Sequence, residues 1–167
     1  MVVDRLIQSS ELRAFAGHFA TGVAVVTTSD ASGACYGLTM NAVTSLSLDP
    51  PLLLICLAHS SSTLKALRQS GYFCLHFLSS EQQAISDLFS KKTDDKFSTL
   101  TFTRGDFGSP VLSGVIAASE CEVTSTYPGG DHTIVIGAVK TVAAPGGTPL
   151  LYHRGRYTQL AEHKKIA

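Results

Sequence analysis

The chain reads Gly37-Leu-Thr-Met-Asn-Ala-Val-Thr-Ser-Leu-Ser-Leu-Asp-Pro-Pro51 and continues into the apolar run Leu52-Leu-Leu-Ile-Cys-Leu57. In the first stretch small polar side chains interleave with apolar ones, so an extended segment places hydrogen-bonding groups beside an apolar wall. A planar, amphipathic heterocycle needs such a surface. The second stretch has the length and composition of a strand that is buried on both faces. Together they predict a polar strand beside a core strand, a pair that any β-barrel can contain.

The composition narrows the class of protein. The chain has 167 residues, of which 44% are hydrophobic and 16% charged, with 13 basic and 13 acidic side chains. A chain of this length is expected to form one domain, which we assign to residues 1–160, followed by a frayed tail at residues 161–167. The balanced charge offers no net field to attract nucleic acid or anionic lipid. The low charge predicts either a large core or apolar surface that an oligomer covers, and we favour the oligomer.

The N-terminus, Met1-Val-Val-Asp-Arg5, lacks the basic and apolar regions of a signal peptide, and no apolar run reaches the roughly 20 residues of a membrane helix. We therefore expect a cytoplasmic protein that does not enter the membrane. The four cysteines are far apart, and three lie in apolar strand-like runs, which is typical of reduced core thiols rather than of disulfides or a zinc site. The histidines show no metal-ligand spacing, so we predict no metal site.

Short strands dominate the predicted secondary structure. Short helices are predicted after Ser9 or Ser10, after the hydroxyl cluster Ser60–Thr63, and after Ser80. Gly and Pro turns separate the predicted strands, which lie at residues 23–28, 52–57, 72–78, 101–103, 115–127, 133–144 and 150–157. The chain has no G-x-G-x-x-G motif and no regular alternation of strand and helix, which argues against a Rossmann fold. The pattern predicts a mainly β barrel with a few short α-helices.

Four segments in series resemble the short-chain NAD(P)H:flavin oxidoreductases, the flavin reductases that supply reduced flavin to two-component monooxygenases. The resemblance extends from about residue 12 to residue 160, and the segments are Gly37–Leu52, Ser60–Leu64, Gly130–Gly137 and Pro149–Tyr157. It implies an FMN-binding split β-barrel of the Greek-key type that forms a homodimer. It also implies an enzyme that transfers a hydride from NADH or NADPH to FMN or FAD and provides reduced flavin to a partner monooxygenase.

Two stretches are the candidate flavin site. The hydroxyls of Ser60, Ser61 and Thr63 lie at a predicted helix N-terminus. Such a terminus can bind phosphate, but the ordinary role of these hydroxyls is to cap the helix. The resemblance assigns the flavin phosphate to these three residues, helped by Lys91 or Lys92 from a charged loop. Ser90 and Ala42 stand where relatives often have glycine and serine. The resemblance assigns the isoalloxazine ring to Thr39, Met40, Asn41, Ala42, Val43, Thr44 and Ser45.

The pair Asp131-His132 follows two glycines and opens a predicted strand. A histidine in a turn is more often a surface residue than a catalyst when judged from its sequence position alone. The resemblance assigns His132 to the nicotinamide, with Asp131 fixing its tautomer, and places Arg154 and Tyr157 near the nicotinamide side of the flavin. Two alternatives stay open, namely a flavin carrier that does not turn over NAD(P)H, and a flavin-dependent reductase of another acceptor such as a corrinoid or a quinone.

Overall fold

The structure is a computed structural model that describes residues 6–93 and 95–160. The tail at residues 161–167, for which the sequence predicts fraying, lies outside the described residues, and the assignment of residues 1–160 to one domain stays a prediction. The helices are α1 (Ser9–Ala16), α2 (Ser62–Ser70) and α3 (Gln83–Ser90). The strands are β1 (Thr21–Gly22), β2 (Ala24–Ser29), β3 (Cys35–Met40), β4 (Val43–Leu48), β5 (Pro51–Ala58), β6 (Tyr72–Phe77), β7 (Phe102–Arg104), β8 (Pro110–Leu112), β9 (Ala117–Gly129), β10 (His132–Val139), β11 (Leu151–His153) and β12 (Arg156–Thr158).

Seven strands form one antiparallel sheet in the order β3-β2-β6-β9-β10-β5-β4. Its two edge strands, β3 and β4, are consecutive in the chain and are joined by only Asn41 and Ala42. The sheet therefore brings its two edges together at this link. The Cys56 amide donates to the Ala42 carbonyl at 3.1 Å, which continues the β4–β5 ladder into the link. Within the described residues β3 and β4 form no ladder with each other, so strand pairing leaves the barrel split between them. The predicted mainly β, split-barrel class is confirmed.

Strand β2 is buried on both faces and separates two apolar clusters. On one face Val26 packs with Leu64 and Leu67 of α2. On the other face Val25 belongs to the cluster that contains Phe89 of α3. Because successive side chains of a strand point to opposite faces, this alternation holds α2 and α3 on opposite sides of the same strand.

Gly37 allows α3 to lie directly against edge strand β3. A Cβ atom at this position would lie 2.6 Å from Cε1 of Phe89, which is closer than side-chain atoms pack. Lys96 ties the same two elements together, because its Nζ donates to the Gly37 carbonyl at 3.1 Å and to the Phe89 carbonyl at 3.0 Å. Helix α3 is thereby fixed along the edge of the barrel.

The apolar run Leu52–Leu57 forms most of β5, but the prediction that it is buried on both faces is wrong. Only Ile55 and Leu57 are buried. Leu54 and Cys56 lie on the outer face of the sheet, opposite two isoleucines of β10, and are half-buried. The outer face is therefore apolar, although nothing in residues 6–93 and 95–160 covers it completely.

Residues 150–157 form the hairpin β11–β12, not the single predicted strand. Arg154 and Gly155 occupy its turn with φ of 48° and 79°, the left-handed region that two-residue hairpin turns require. The Arg154 amide donates to the Gly17 carbonyl at 2.9 Å. The hairpin is thus held against the end of α1, and β11 pairs with β1.

Helix α1 forms close to its predicted position, but its N-cap is Gln8 instead of a serine, and it ends at Ala16, before Phe19. None of its residues is buried by the described part of the chain. Leu12, Phe15 and Phe19 are 59%, 79% and 78% exposed. Leu46 and Leu48 of β4 are exposed as well. Large apolar side chains that are exposed together are unusual on a monomer and mark a surface that another molecule covers.

His76 is fully buried between β2 and β8. Its Nδ1 lies 3.0 Å from the Val25 carbonyl, and its Nε2 lies 3.1 Å from the Leu112 amide, which donates to it. An imidazole that donates through one nitrogen and accepts through the other is neutral. Burial lowers the pKa of His76 to about 4, against the opposing effect of the Val25 carbonyl.

The four cysteines are free thiols, as predicted. Cys74 and Cys121 are buried, and Cys35 and Cys56 are half-buried. Burial raises the pKa of the Cys74 thiol, which is expected for a core cysteine that is not reactive. Over residues 6–93 and 95–160 no helix is long and apolar enough to cross a bilayer. The same residues bring together no group of three His, Cys, Asp or Glu side chains that could hold a metal ion.

Candidate functional site

A cavity of about 260 Å³ opens at the start of β3, beside the N-terminus of α2. We call it the α2 cavity, and it is lined by Ala34, Cys35, Tyr36, Gly37, Ser62, Thr93, Lys96 and Phe97. Ser61 is the N-cap of α2, with φ −74° and ψ 127°, and its Oγ accepts from the Leu64 amide at 3.4 Å. The first amides of a helix have no partner inside it and carry partial positive charge. The cavity therefore combines the amide donors of α2 with the ammonium group of Lys96, and both attract an anion.

The three residues predicted to bind the phosphate have different positions relative to this cavity. Ser61 is used as the cap, Ser60 is exposed, and the side chain of Thr63 is only 2% exposed on the inner face of α2. Ser62, which the sequence analysis did not select, lines the cavity instead. The serine run was the signal that could have found it, because any residue of the first turn offers an amide donor.

The lysine at the α2 cavity is not one of the two that the sequence predicted. Lys91 and Lys92 follow the end of α3, are exposed, and are not among the lining residues. Lys96 lines the cavity and is half-buried. No motif around Lys96 distinguishes it from its neighbours in the charged loop, because its position depends on the packing of α3 against β3.

A second cavity, of about 380 Å³, lies at the other end of β3. We call it the α3 cavity, because α3 forms one wall and the β11–β12 hairpin another. Its lining residues are Val23, Thr39, Met40, Asn41, Ser86, Asp87, Ser90, Tyr152, Gly155 and Tyr157. Five of these side chains are polar, two are tyrosines and two are aliphatic or thioether groups. The cavity therefore offers both aromatic surface and hydrogen-bonding groups to a small organic molecule.

Hydrogen bonds fix three walls of the α3 cavity to one another. The Thr39 hydroxyl donates to the Ser86 carbonyl at 2.6 Å, joining β3 to α3. The Tyr157 hydroxyl donates to Asp87 Oδ1 at 2.9 Å, so the Ser86 hydroxyl is the donor in its 2.8 Å contact with the Tyr157 oxygen. Burial, opposed by Ser86 and reinforced by Asp87, raises the pKa of the Tyr157 phenol. Its ring meets that of Tyr152 edge to face, with centroids 5.5 Å apart.

The predicted ring-binding stretch is divided between this cavity and a separate groove. Thr39, Met40 and Asn41 line the α3 cavity, and the Asn41 amide group donates to the Thr21 hydroxyl at 3.2 Å. Val43, Thr44 and Ser45 line an apolar groove of about 380 Å³ beneath Phe19, which Asn41 also borders. Ala42 is exposed, and its carbonyl accepts a hydrogen bond from the Cys56 amide of β5.

Asp131 and His132 lie at the tip of the β9–β10 hairpin, where Gly130 has a φ of 67°. His132 Nδ1 is 2.7 Å from Asp131 Oδ1, and the two side chains are 43% and 94% exposed. A carboxylate only accepts hydrogen bonds, so Nδ1 carries a proton, and in the neutral ring Nε2 is then an acceptor. The hydrogen bond from His132 lowers the pKa of the Asp131 carboxyl, and the charge that the ring carries when it is protonated acts in the same direction.

The His132 hairpin and the start of α2 are at the same end of the barrel. His132 pairs with Ala58 of β5, and the His59 amide donates to the Asp131 carbonyl at 3.0 Å. The chain then passes through Ser60 and Ser61 into α2. Arg154, by contrast, is exposed and lines a different cavity, formed by residues of the β11–β12 hairpin.

The two cavities along β3 match a ligand that is anionic at one end and neutral at the other. Gly37 lines the α2 cavity and Thr39 lines the α3 cavity. Two residues of a strand span about 7 Å. One elongated molecule can therefore place an anionic group against the start of α2 and a ring in the α3 cavity.

Comparison with known proteins gives a consistent result. Residues 16–161 match the family described as "Flavin reductase like domain". The reductase subunit HsaB of a flavin-dependent monooxygenase from Rhodococcus jostii is 35% identical over 166 residues, which cover 99% of this chain and 85% of that protein. The reductase component of a flavin-dependent trigonelline monooxygenase from Acinetobacter baylyi is 36% identical over 93% of this chain, which spans half of that protein's length (50%).

A solved structure extends the comparison to three dimensions. The NADH:FAD oxidoreductase SgcE6 from Streptomyces globisporus superimposes with a TM-score of 0.88 at 32% identity. The superposition covers 96% of this chain and 99% of SgcE6. The similarity therefore includes the whole barrel and both of its cavities along β3.

Proposed function

The chain belongs to the flavin reductase-like domain family, and from this premise we propose that it is an NAD(P)H:flavin oxidoreductase that transfers a hydride from NADH or NADPH to FMN or FAD. The observation that carries the proposal is the family match over residues 16–161. It spans both cavities along β3 and the Asp131-His132 hairpin. The bound flavin would supply the hydride acceptor, so the task of the protein is to hold two ring systems together.

The residues along β3 fit a flavin. Lys96, the amide of Ser62 and the partial charge of the α2 N-terminus would hold the phosphate in the α2 cavity. Thr39, Met40 and Asn41 would contact the ring in the α3 cavity, where the wall that Tyr157 forms excludes water. Val43, Thr44 and Ser45, on the far side of the link, would support the edge of the ring or the second subunit.

His132 would position the nicotinamide. With the proton held on Nδ1 by Asp131, its Nε2 can accept a hydrogen bond from the amide group of the nicotinamide. Asp131 is then a positioning residue, because it fixes the tautomer without touching the nicotinamide. Arg154 is exposed near the same barrel end as Tyr157 and would contribute charge rather than ring contacts.

A partner enzyme and a second copy of the chain complete the proposal. The relatives from Rhodococcus jostii and Acinetobacter baylyi are the reductase subunit and the reductase component of flavin-dependent monooxygenases, and we propose that this chain likewise provides reduced flavin to a monooxygenase. The exposed apolar residues of α1 and β4 support a homodimer. The four free thiols suit a reducing compartment, and we place the protein in the cytoplasm.

The decisive experiment is oxidation of NADH and of NADPH by the pure protein, followed by loss of nicotinamide absorbance, with FMN, FAD, riboflavin or no flavin added. We expect oxidation that depends on flavin. If the protein binds flavin but oxidises neither nucleotide, it is a carrier and the proposal fails. Oxidation that needs a corrinoid or a quinone in addition to flavin would assign the enzyme to another acceptor.

A further inference from the structure

Asp87 gives the α3 cavity a negative electrostatic character. Among the described residues that line this cavity, Asp87 carries the single formal charge. Its Oδ1 accepts from Tyr157, while its Oδ2 accepts no hydrogen bond from the described part of the chain. Asp87 and Ser90 belong to the C-terminal half of α3, and the C-terminal end of a helix carries partial negative charge.

Hydride transfer changes the charge of whatever ring accepts it. The C4–H bond of the nicotinamide breaks and takes both electrons with it, an N–H bond forms on the flavin, and the nicotinamide becomes a cation. The flavin receives one proton and two electrons, so it leaves the reaction with one more negative charge than it had. A carboxylate in the same cavity therefore repels the product more than it repels the substrate.

We propose that Asp87 makes the α3 cavity bind oxidised flavin more tightly than reduced flavin, and so promotes release of the product. The inference rests on the proposed function and deepens it, since a reductase that serves a separate oxygenase has to let reduced flavin go. Asp87 acts here as a residue that determines the preference between two redox forms of one ligand. Its bond to Tyr157 keeps the carboxylate facing the cavity.

The cationic side chains near the cavity are exposed or are held by other groups. Arg154 and Arg156 line a different cavity, which shares Tyr157 with this one, and Lys91 follows the end of α3; all three are exposed, so solvent screens their charges. Lys96 lies at the α2 cavity, where its ammonium group is held by the Gly37 and Phe89 carbonyls. Among the described residues, Asp87 is therefore the one formally charged side chain in the wall of the α3 cavity.

The test compares Asp87→Asn with Glu81→Gln. Asparagine keeps the shape of the side chain and an oxygen for the Tyr157 hydroxyl but removes the charge. Glu81 is an exposed carboxylate just before α3 that does not line the cavity. The dissociation constants of oxidised FMN and of chemically reduced FMN are measured under anaerobic conditions, and their ratio is compared across wild type and variants.

We expect the ratio of reduced to oxidised dissociation constants to fall about tenfold in Asp87→Asn, as for one unit charge about 10 Å away at an effective dielectric constant of about 20 to 30. For a two-electron couple this is a rise of about 30 mV in the potential of the bound flavin. The ratio should not change in Glu81→Gln. If Asp87→Asn does not fold, Asp87→Ala provides the same measurement, because Ser86 still holds the Tyr157 hydroxyl.

Two results would overturn the inference, and they are distinguishable. A wild-type chain that binds no flavin refutes the proposed function and the inference with it. A wild-type chain that binds flavin and oxidises NAD(P)H, while its ratio of dissociation constants is the same in Asp87→Asn, refutes the role of Asp87 alone. An equal change in Glu81→Gln also refutes it, because the effect would then arise from net charge.

Discussion

The buried histidine His76 should make the stability of this protein depend on pH between about 4 and 6.5. Its pKa is about 4 in the folded chain, against 6.5 for an unperturbed histidine. Between these values the unfolded chain binds more protons than the folded chain, so folding is favoured less as pH falls. The stabilisation is fully present above pH 6.5 and is lost as pH falls towards 4.

The magnitude follows from the two pKa values. From pH 7 to pH 5 the linkage relation gives a loss of about 2 kcal/mol in the free energy of unfolding, and the full loss approaches about 3 kcal/mol near pH 4. The carboxyl groups with lowered pKa values, Asp30, Glu122 and Asp131, titrate below this window. The part of the change between pH 7 and pH 5 that is absent from His76→Gln is therefore the contribution of His76.

The assay is urea unfolding at several pH values between 5 and 7 for wild type, His76→Gln and the exposed control His18→Gln. We expect His76→Gln to be less stable at pH 7 by about 1–3 kcal/mol, because the Val25 carbonyl or the Leu112 amide loses its partner. Its stability should hardly change between pH 7 and pH 5. The same slope in His76→Gln as in wild type, or loss of the slope in His18→Gln, would show that the reasoning is wrong.

Three further predictions concern binding, turnover and assembly. Replacing Ser62 by Pro should preserve α2, because proline is tolerated at the first helical position, but it removes the amide donor of that residue. We expect the affinity for FMN, measured by fluorescence titration, to fall about fivefold while the affinity for riboflavin is unchanged. Equal losses of affinity for both flavins would contradict a phosphate site at α2. His132→Ala should lower kcat/KM for NADH about 5- to 150-fold with little effect on FMN affinity, and Asp131→Asn should lower kcat/KM by a smaller factor. An unchanged kcat/KM in His132→Ala would show that the nicotinamide binds elsewhere. Replacing Phe15 and Phe19 together by Asp should convert a dimer into monomers in sedimentation equilibrium, and a wild-type mass of 17.7 kDa would refute the dimer.

The sequence predicts local structure well where a residue type strongly favours one local conformation or hydrogen-bonding role. Gly71 ends α2 in the left-handed conformation, with a φ of 73°, and Ser61 caps its start, as the order of hydroxyls, apolar residues and glycine indicates. Asp30 organises the first hairpin turn by accepting from the Ser32 and Ala34 amides. These signals act over three or four residues, so they can be recognised in a single sequence.

The candidate site is predicted less completely, because its walls come from distant parts of the chain. The contact between Asp87 and Tyr157 joins residues 70 positions apart, and neither residue stands in a motif that indicates the other. Lys96 reaches the α2 cavity only because Gly37 lets α3 approach β3. Sequence spacing contains no information on such packing, which explains why Lys91 and Lys92 were selected in its place.

The misassigned burial of β5 has a related cause. A run of apolar residues predicts that both faces avoid water, but it does not say whether the cover comes from the same chain. Leu54 and Cys56 are half-buried here, on the same kind of apolar surface that α1 exposes. The composition therefore indicates that the chain has apolar surface for an oligomer to cover, but only the structure shows which residues form that surface.

The two-residue link between β3 and β4 also bears on the order in which the chain folds. It connects two hairpins, β2–β3 and β4–β5, whose ladders join residues that are close in sequence, so each closes a short loop at low entropic cost. The pairing of Ile55 with Val135, which completes the sheet on the other side, joins residues that are far apart. Both edges of the barrel are thus tethered before β10 arrives, and docking of β10 becomes the slow step. In pulsed hydrogen exchange during refolding, amides of β2–β3 and β4–β5 should be protected earlier than those between β5 and β10.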